Sequence, residues 1–367
     1  MSGTSLDGVD IAIMDGTAVK PDVLFCQTLP YPKNLAQRIR HLTHATHVTL
    51  EQLGQLDVEI AQFYAQVVNQ SLSTVSLTAD HIIAIGCHGQ TIRHSPTAAP
   101  PYTLQIGDPN TLCTSTNITT VADFRRRDMA LGGQGAPLAP AFHQSVFRTS
   151  DCDRVIINIG GIANITHLPA NPNQPVTGFD TGPGNTLLDY WIHQNLAKPY
   201  DNKGRWAASG HAIDDLLQTM LTNETYFSQP PPKSTGTEYF SPEWLQAFSP
   251  EHYQAGDVQA TLLELSAWTI AQSISQAEIM SDECYVCGGG VHNLSLMQRL
   301  QTLLPDCAVH STAKLGVNPD YVEAIAFAWL AKQTINKQTG NLPSVTHAST
   351  TAILGGVFQG NALGRYE

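Results

Sequence analysis

Small residues crowd the opening of the chain at Ser2, Gly3, Thr4, Ser5 and Gly8, where backbone N–H groups can approach an anion and hydroxyls add donors. That is the chemistry of a phosphate cradle. Asp7 and Asp10 share the stretch and would repel bare phosphate, so a functional reading requires Mg²⁺ between carboxylate and phosphate. As bare composition the stretch reads first as a surface turn. Gly160-Gly161 offers a second cradle, and Asp180-Thr181-Gly182-Pro183-Gly184-Asn185 sets a carboxylate beside a Gly-rich helix entrance that can face an anion. Gly288-Gly289-Gly290 suits close backbone approach to a nucleotide base or ribose, although successive glycines also end strands for structural reasons.

These groups need elements to hold them. Val9 to Met14 alternates and is β-branched, which predicts a strand fed by the opening loop. Thr49 with Gln52 makes a capping box, and Leu53, Leu56, Ile60, Phe63 and Val67 then recur at helical spacing. The run Ile82-Ile83-Ala84-Ile85 predicts a buried strand ending in Gly86-Cys87-His88-Gly89-Gln90-Thr91. Val155 to Ile159, Gly160-Gly161 and Ile162 to Thr166 repeat the grammar as strand, turn and strand. Val176 to Phe179 leads into the Asp180 loop and a helix with Leu187, Leu188 and Trp191. A helix from about Asp257 and a strand Tyr285 to Cys287 follow, and Asn318-Pro319 opens a last helix through Ala331. The halves read as two copies of one α/β plan. Gln229-Pro230-Pro231-Pro232 with Lys233-Ser234-Thr235-Gly236-Thr237 reads as a surface loop without assigned chemistry.

At 367 residues the chain exceeds what one core usually supports, so two domains with a cleft between them are expected. The net charge of −12 argues against nucleic acid, which is held by Lys and Arg on phosphates. No apolar run reaches the roughly 20 residues of a membrane span. The scattered cysteines and the absence of a signal segment point to the cytoplasm. Cys284 and Cys287 sit on a predicted strand, where residues three apart face opposite ways, which disfavours a zinc or redox pair. His41, His44 and His47 have helical spacing and read as exposed or capping histidines rather than metal ligands.

The order of phosphate loop, second hairpin, carboxylate loop and late Gly-rich loop resembles that of actin/hexokinase-type ATP enzymes. Residues 1–10 (Met-Ser-Gly-Thr-Ser-Leu-Asp-Gly-Val-Asp), 86–91, 122–125 (Ala-Asp-Phe-Arg), 158–164 (Asn-Ile-Gly-Gly-Ile-Ala-Asn), 178–185 and 287–290 together resemble the anhydro-N-acetylmuramic acid kinases over nearly the whole chain. The resemblance implies a two-lobed actin/hexokinase-like (ribonuclease H-like) duplicated α/β fold with an interlobe cleft. Its expected parts are an N-terminal lobe 1–130, a C-terminal lobe 131–316 and a returning helix and tail 317–367. It implies ATP binding by Gly3, Thr4, Ser5, Leu6, Asp7, Gly8, Val9, Asp10, Gly160, Gly161, Gly182, Gly184, Asn185, Gly288, Gly289 and Gly290, with Mg²⁺ on Asp7. Asp180 would be the catalytic base. His88, Gln90, Thr91, Asp123, Arg125 and Glu323 would hold the sugar. Arg125, favoured over Arg126 and Arg127, would fork onto the substrate's lactyl carboxylate.

The implied reaction opens 1,6-anhydro-N-acetylmuramic acid with water and phosphorylates O6 from ATP, in peptidoglycan recycling. The partners expected are the anhydrosugar and ATP, with a homodimer as the oligomer and neither nucleic acid nor membrane. An ordinary hexose or acetamido-sugar kinase and an actin- or Hsp70-like ATP-driven binding protein are the alternatives. The family also implies a short strand ahead of the phosphate loop, whereas the sequence opens on the loop itself. A loop without that strand is expected to hold ATP less well.

Overall fold

The computed structural model describes residues 1–3, 8–17, 21–279 and 281–360. Its strands run, in chain order, β1 (Val9–Asp15), β2 (Asp22–Leu29), β3 (Ile85–Cys87), β4 (Gln90–Ser95), β5 (Tyr102–Ile106), β6 (Thr120–Ala122), β7 (Arg154–Ile159), β8 (Ile162–Leu168), β9 (Thr177–Pro183), β10 (Glu283–Cys287), β11 (Ala308–Ser311) and β12 (Gly356–Phe358). The architecture is α/β. Contacts divide the chain after Val146 and after Val322, where the sequence reading placed the breaks at 130 and 316. Met1–Val146 and the chain from Glu323 onward form one unit, and Phe147–Val322 form the other.

The second unit is built on one sheet in the order β11-β10-β7-β8-β9. β7 lies at its centre, antiparallel to β8 and parallel to β10. Val155, Ile156, Ile157 and Ile159 of β7 are all 0% exposed, which is why Val155–Ile159 reads as a near-continuous apolar run with Asn158 its one polar member. β9 extends through Asp180 to Pro183, beyond the end expected at Phe179. Its pairing with β8 continues past a bulge at Ala163/Asn164, with Ile162 opposite Pro183. The helix Ala255–Gln276 packs on this sheet and buries Val258, Leu262, Leu265 and Ile270. Cys284 and Cys287 face different partners: the Cys284 sulfur lies 2.7 Å from Cys307 Sγ, while Cys287 Sγ meets Asn158 Oδ1 at 3.8 Å. The strand reading of that pair holds.

In the first unit β1 pairs with β2, and a separate sheet runs β12-β6-β3. The helix Leu50–Thr74 starts on the expected box, with Gln52 N donating to Thr49 Oγ1 and Thr49 N to Gln52 Oε1. Leu56, Ile60, Tyr64 and Val67 form its buried stripe. The expected strand at Ile82–Ile85 is corrected: only Ile85–Cys87 is strand, and Ile83 is 63% exposed. Its apolar side chains border an apolar groove of 240 Å³ lined by β1 and β3 and by Tyr64, Val68, Leu72, Ala324 and Ala328. Met1 N donates to Asp10 O at 2.7 Å and Asp10 N to Met1 O at 2.8 Å, a single antiparallel pairing beside β1. The helix Val322–Ile335 follows a short turn of 3₁₀ helix at Pro319–Tyr321. No helix among the described residues is long and apolar enough to cross a membrane.

Candidate active site

Three glycine-bearing segments meet at one end of the second unit's sheet. Gly184 N donates to Gly161 O (2.9 Å) and Asn185 N to Gly160 O (2.8 Å), so the β7–β8 turn is laced to the entrance of the helix Thr186–Leu196. Asn185 Nδ2 donates to Ile159 O at 3.2 Å. A Cβ on Gly184 would sit 2.4 Å from Gly160 O. Gly288 turns at φ +79°, and a Cβ there would meet Asn158 Oδ1 at 2.6 Å, which binds the β10 turn to the end of β7. Gly290 packs on Ile159 in the same way, and Gly182 is buried against Phe227 and Thr269. Gly160, Gly161 and Gly289 have more room. The glycines therefore divide into those the packing demands and those that leave backbone accessible to a ligand.

Asp180 stands at the middle of edge strand β9, half-buried, opposite Asn164. Its surroundings come from a segment to which the sequence assigned no chemistry. Asp180 N donates to Lys233 O at 3.1 Å, continuing the sheet edge onto the 229–237 loop. Ser234 Oγ and Thr235 N each donate to Asp180 Oδ2 at 3.0 Å, and Tyr226 Oη donates to the Asp180 carbonyl at 2.8 Å. Burial raises the Asp180 pKa above the usual carboxylate value; the Thr235 and Ser234 donors pull against that rise, and Glu238 adds to it. The only signal in the sequence was the cluster of donors Ser234-Thr235-Gly236-Thr237 directly after the prolines.

In the first unit, Arg125 gathers the expected sugar contacts. Its Nε and Nη2 reach His88 Nε2 at 3.1 and 2.9 Å, and Nη1 donates to Gly135 O at 2.9 Å. One N–H on each Nη nitrogen is not used by these bonds, so the guanidinium keeps donors for an anion. Burial lowers the Arg125 pKa to about 10, with Glu323 and Asp128 opposing. His88 is buried, and its pKa is held well below the ordinary value, first by burial and then by Arg125. Glu323 opens onto solvent at the start of its helix, yet desolvation still raises its pKa, Arg125 opposing.

Other expected contacts are occupied within the protein. Gln90 is 1% exposed; its Oε1 accepts from Ser2 Oγ at 2.7 Å and its Nε2 donates to Gly3 O at 3.5 Å. It therefore anchors Ser2 and Gly3 at the opening of the chain. Thr91 Oγ1 accepts from Gln105 Nε2, and exposed Asp123, at φ +61°, pairs with Arg126 at 3.6 Å. That pairing distinguishes Arg126 from Arg125.

Of the opening loop, Thr4, Ser5, Leu6 and Asp7, with its expected Mg²⁺, lie outside the described residues. Gly8 passes so close to β2 that a Cβ would meet Leu29 O at 2.7 Å. Val9 is a core residue, so its backbone alone faces any ligand. Asp10 Oδ1 accepts from Thr28 Oγ1 at 2.6 Å. No cluster of three or more metal-ligating side chains occurs among the described residues.

The family model for anhydro-N-acetylmuramic acid kinase matches residues 1–360. Proteins of that name from Coxiella burnetii and Shewanella frigidimarina are 48% and 50% identical over 361 residues. The matches cover 98% of this chain and 96% and 97% of those proteins. Among solved structures, the activator of the 2-hydroxyisocaproyl-CoA dehydratase from Clostridium difficile, with bound ADPNP, is 12% identical at a TM-score of 0.34, covering 59% of this chain and 68% of that one. That likeness is too slight to bear on the fold. Matched end to end by the family model and by relatives at half identity, the chain belongs to the anhydro-N-acetylmuramic acid kinase family.

Proposed function

We propose that Asp180 is the general base of this kinase, taking a proton from the water that attacks the anomeric carbon. As a member of its family the chain is an ATP-dependent phosphotransferase that hydrolytically opens 1,6-anhydro-N-acetylmuramic acid and phosphorylates O6. The product is N-acetylmuramic acid 6-phosphate, in peptidoglycan recycling. The observation that carries the assignment is a half-buried carboxylate whose Oδ2 is tethered by two donors, on the strand that leads into the Gly184-Asn185 segment laced to the Gly160-Gly161 turn. In the reaction the water oxygen bonds to C1 as the C1–O6 bond breaks. O6 then takes the γ-phosphoryl group, and the water proton passes to Asp180. General-base help of this kind is worth about 10² to 10⁴ in rate.

The remaining roles follow the same reading. The backbone at Gly160, Gly161 and Gly289 approaches the nucleotide, while Gly182, Gly184, Asn185, Gly288 and Gly290 shape the turns behind it. Gly3, Gly8, Val9 and Asp10 serve the phosphates. A single carboxylate such as Asp10 suits Mg²⁺, which keeps several waters and leans on phosphate oxygens; the ion would neutralise charge on the phosphates. Arg125, with His88 and Glu323, takes the sugar and its lactyl carboxylate; Thr91 and Asp123 stand nearby, and Gln90 holds the loop. The actin/hexokinase-like duplicated plan is supported by the strand order of the second unit and by the β1–β2 hairpin and parallel β3–β6 pair of the first. A cytoplasmic homodimer completes the proposal on the strength of the family resemblance; sedimentation velocity checks the dimer.

Asp180→Asn keeps the shape and loses the proton acceptor. It should bind ATP and sugar as before while kcat falls at least about 10²-fold. Near-normal turnover would refute the assignment, and a loss confined to ATP affinity would move Asp180 to the metal.

A further inference from the structure

We propose that the segment Lys233–Thr237 is a positioning strap for Asp180, with Ser234 the residue that directs proton acceptance to Oδ1. The proposal rests on the reading of Asp180 as the base.

Both donors of the strap converge on one oxygen. Ser234 Oγ and Thr235 N each lie 3.0 Å from Oδ2, and Oδ1 receives no hydrogen bond from the described residues. A carboxylate loaded on one oxygen cannot rotate about its Cβ–Cγ bond without breaking both bonds, so the proton-accepting lone pairs stay fixed on the other. The strap is itself pinned. Its carbonyl at Lys233 accepts the Asp180 amide, so the carboxylate and its holder share one sheet edge. The Lys233 side chain is 8% exposed: its ammonium donates to Tyr226 O at 3.3 Å and Phe227 O at 3.5 Å and lies 4.9 Å from the Tyr226 ring centroid. Tyr226 in turn donates to the Asp180 carbonyl. At the far end, Thr237 reaches the β7–β8 turn, where its Cγ2 lies 3.1 Å from a Cβ built on Gly161. One short segment thus spans the carboxylate and the glycine turn proposed for phosphate. Lys233 is spent on anchoring, and Ser234, exposed on the strap, has Asp180 as its hydrogen-bond acceptor.

The titratable groups around Asp180 are Tyr226, Lys233 and Glu238. Burial and then Asp180 push Tyr226 upward, so it stays a neutral donor, and burial lowers the Lys233 pKa. Loss of the Ser234 donor removes stabilisation of the ionised carboxylate, which raises the pKa of the base.

The test is the pH profile of kcat for wild type, Ser234→Ala, Ser234→Thr and Asp180→Asn. Ser234→Ala should lower kcat about threefold to tenfold, the worth of one such hydrogen bond. Its acidic limb should move to higher pH, with KM for ATP and sugar within about twofold of wild type. Ser234→Thr keeps the hydroxyl and should restore both kcat and limb. Unchanged kcat and limb in Ser234→Ala, while Asp180→Asn is inactive, would overturn the strap and leave the base standing. A change in KM or melting temperature without movement of the limb would also overturn it. An active Asp180→Asn would remove the base, and the strap's role with it.

Discussion

The two units treat their sheets differently. In the second, β7 is enclosed by β8 and β10 and covered on both faces, and its apolar side chains have no exposure. In the first, β1–β2 and β3–β6–β12 are separate sheets whose facing strands line an apolar groove of 240 Å³, with Ile83 63% exposed at its border. An α/β sheet gains stability when a strand is paired on both edges and buried on both faces. The second unit is therefore the rigid member. The first ties Met1, Ser2 and Gly3 down through Gln90 and the Met1–Asp10 pairing rather than through a continuous sheet.

The strongest way to break this contrast is truncation at matched positions. Ile157→Ala, in the centre of β7, should cost about 3 kcal/mol in denaturant unfolding. Ile13→Ala, half-buried in β1, should cost about 1 kcal/mol. Trp191, Trp206, Trp244 and Trp268 report on the second unit and Trp329 on the first, so fluorescence follows both. Equal losses would mean the two strands are equally supported.

A smaller effect of opposite sign comes from filling the groove. About six residues of alternating Val and Thr placed ahead of Met1 would continue the Met1–Asp10 register along β1. Burial of apolar surface there should add about 2 kcal/mol, raise the melting temperature, protect the amides of β1 and β3 from hydrogen exchange and lower KM for ATP. No added protection at Ile11, Ile13 or Ile85 would show that the groove does not accept a strand.

The rigid unit carries its own liability at Asp189, whose pKa burial, with Asp201 beside it, raises to about 7. A raised carboxylate pKa means that the folded state holds the proton more tightly than the unfolded chain. The unit is thus most favoured below about pH 4 on this account and loses stability as pH rises toward 7. Asp189→Asn should match wild type near pH 4 and melt higher at pH 8; a constant gap at both would sink the assignment. Smallest is Thr49→Ala on the exposed capping box, at about 1 kcal/mol and confined to the first unit.

What the sequence revealed follows the range over which each cause acts. The capping box at Thr49 and Gln52 is local, and so is the largely apolar run Val155–Ile159, so both were legible. Gly160-Gly161, Asp180–Asn185 and Gly288–Gly290 were legible because glycine demands show in composition, and the structure brings the segments together. Ile82–Ile85 misled because an apolar run reports preference for burial without saying what covers it. The hold of Ser234 and Thr235 on Asp180 was invisible because it joins segments distant in sequence. The bonds of Gln90 to Ser2 and Gly3 were invisible for the same reason, since those partners lie far back along the chain.

The bonds from Arg125 to His88 Nε2 carry one more consequence. Because that nitrogen accepts, the imidazole proton sits on Nδ1, which is buried and has no hydrogen-bond partner among the described residues. Arg125 thereby writes the tautomer of the ring, and with burial it keeps the ring neutral across the physiological range. If His88 meets the sugar as proposed, its ring keeps one charge state while Asp180 and Glu323, both raised by burial, are the groups through which acidity would act.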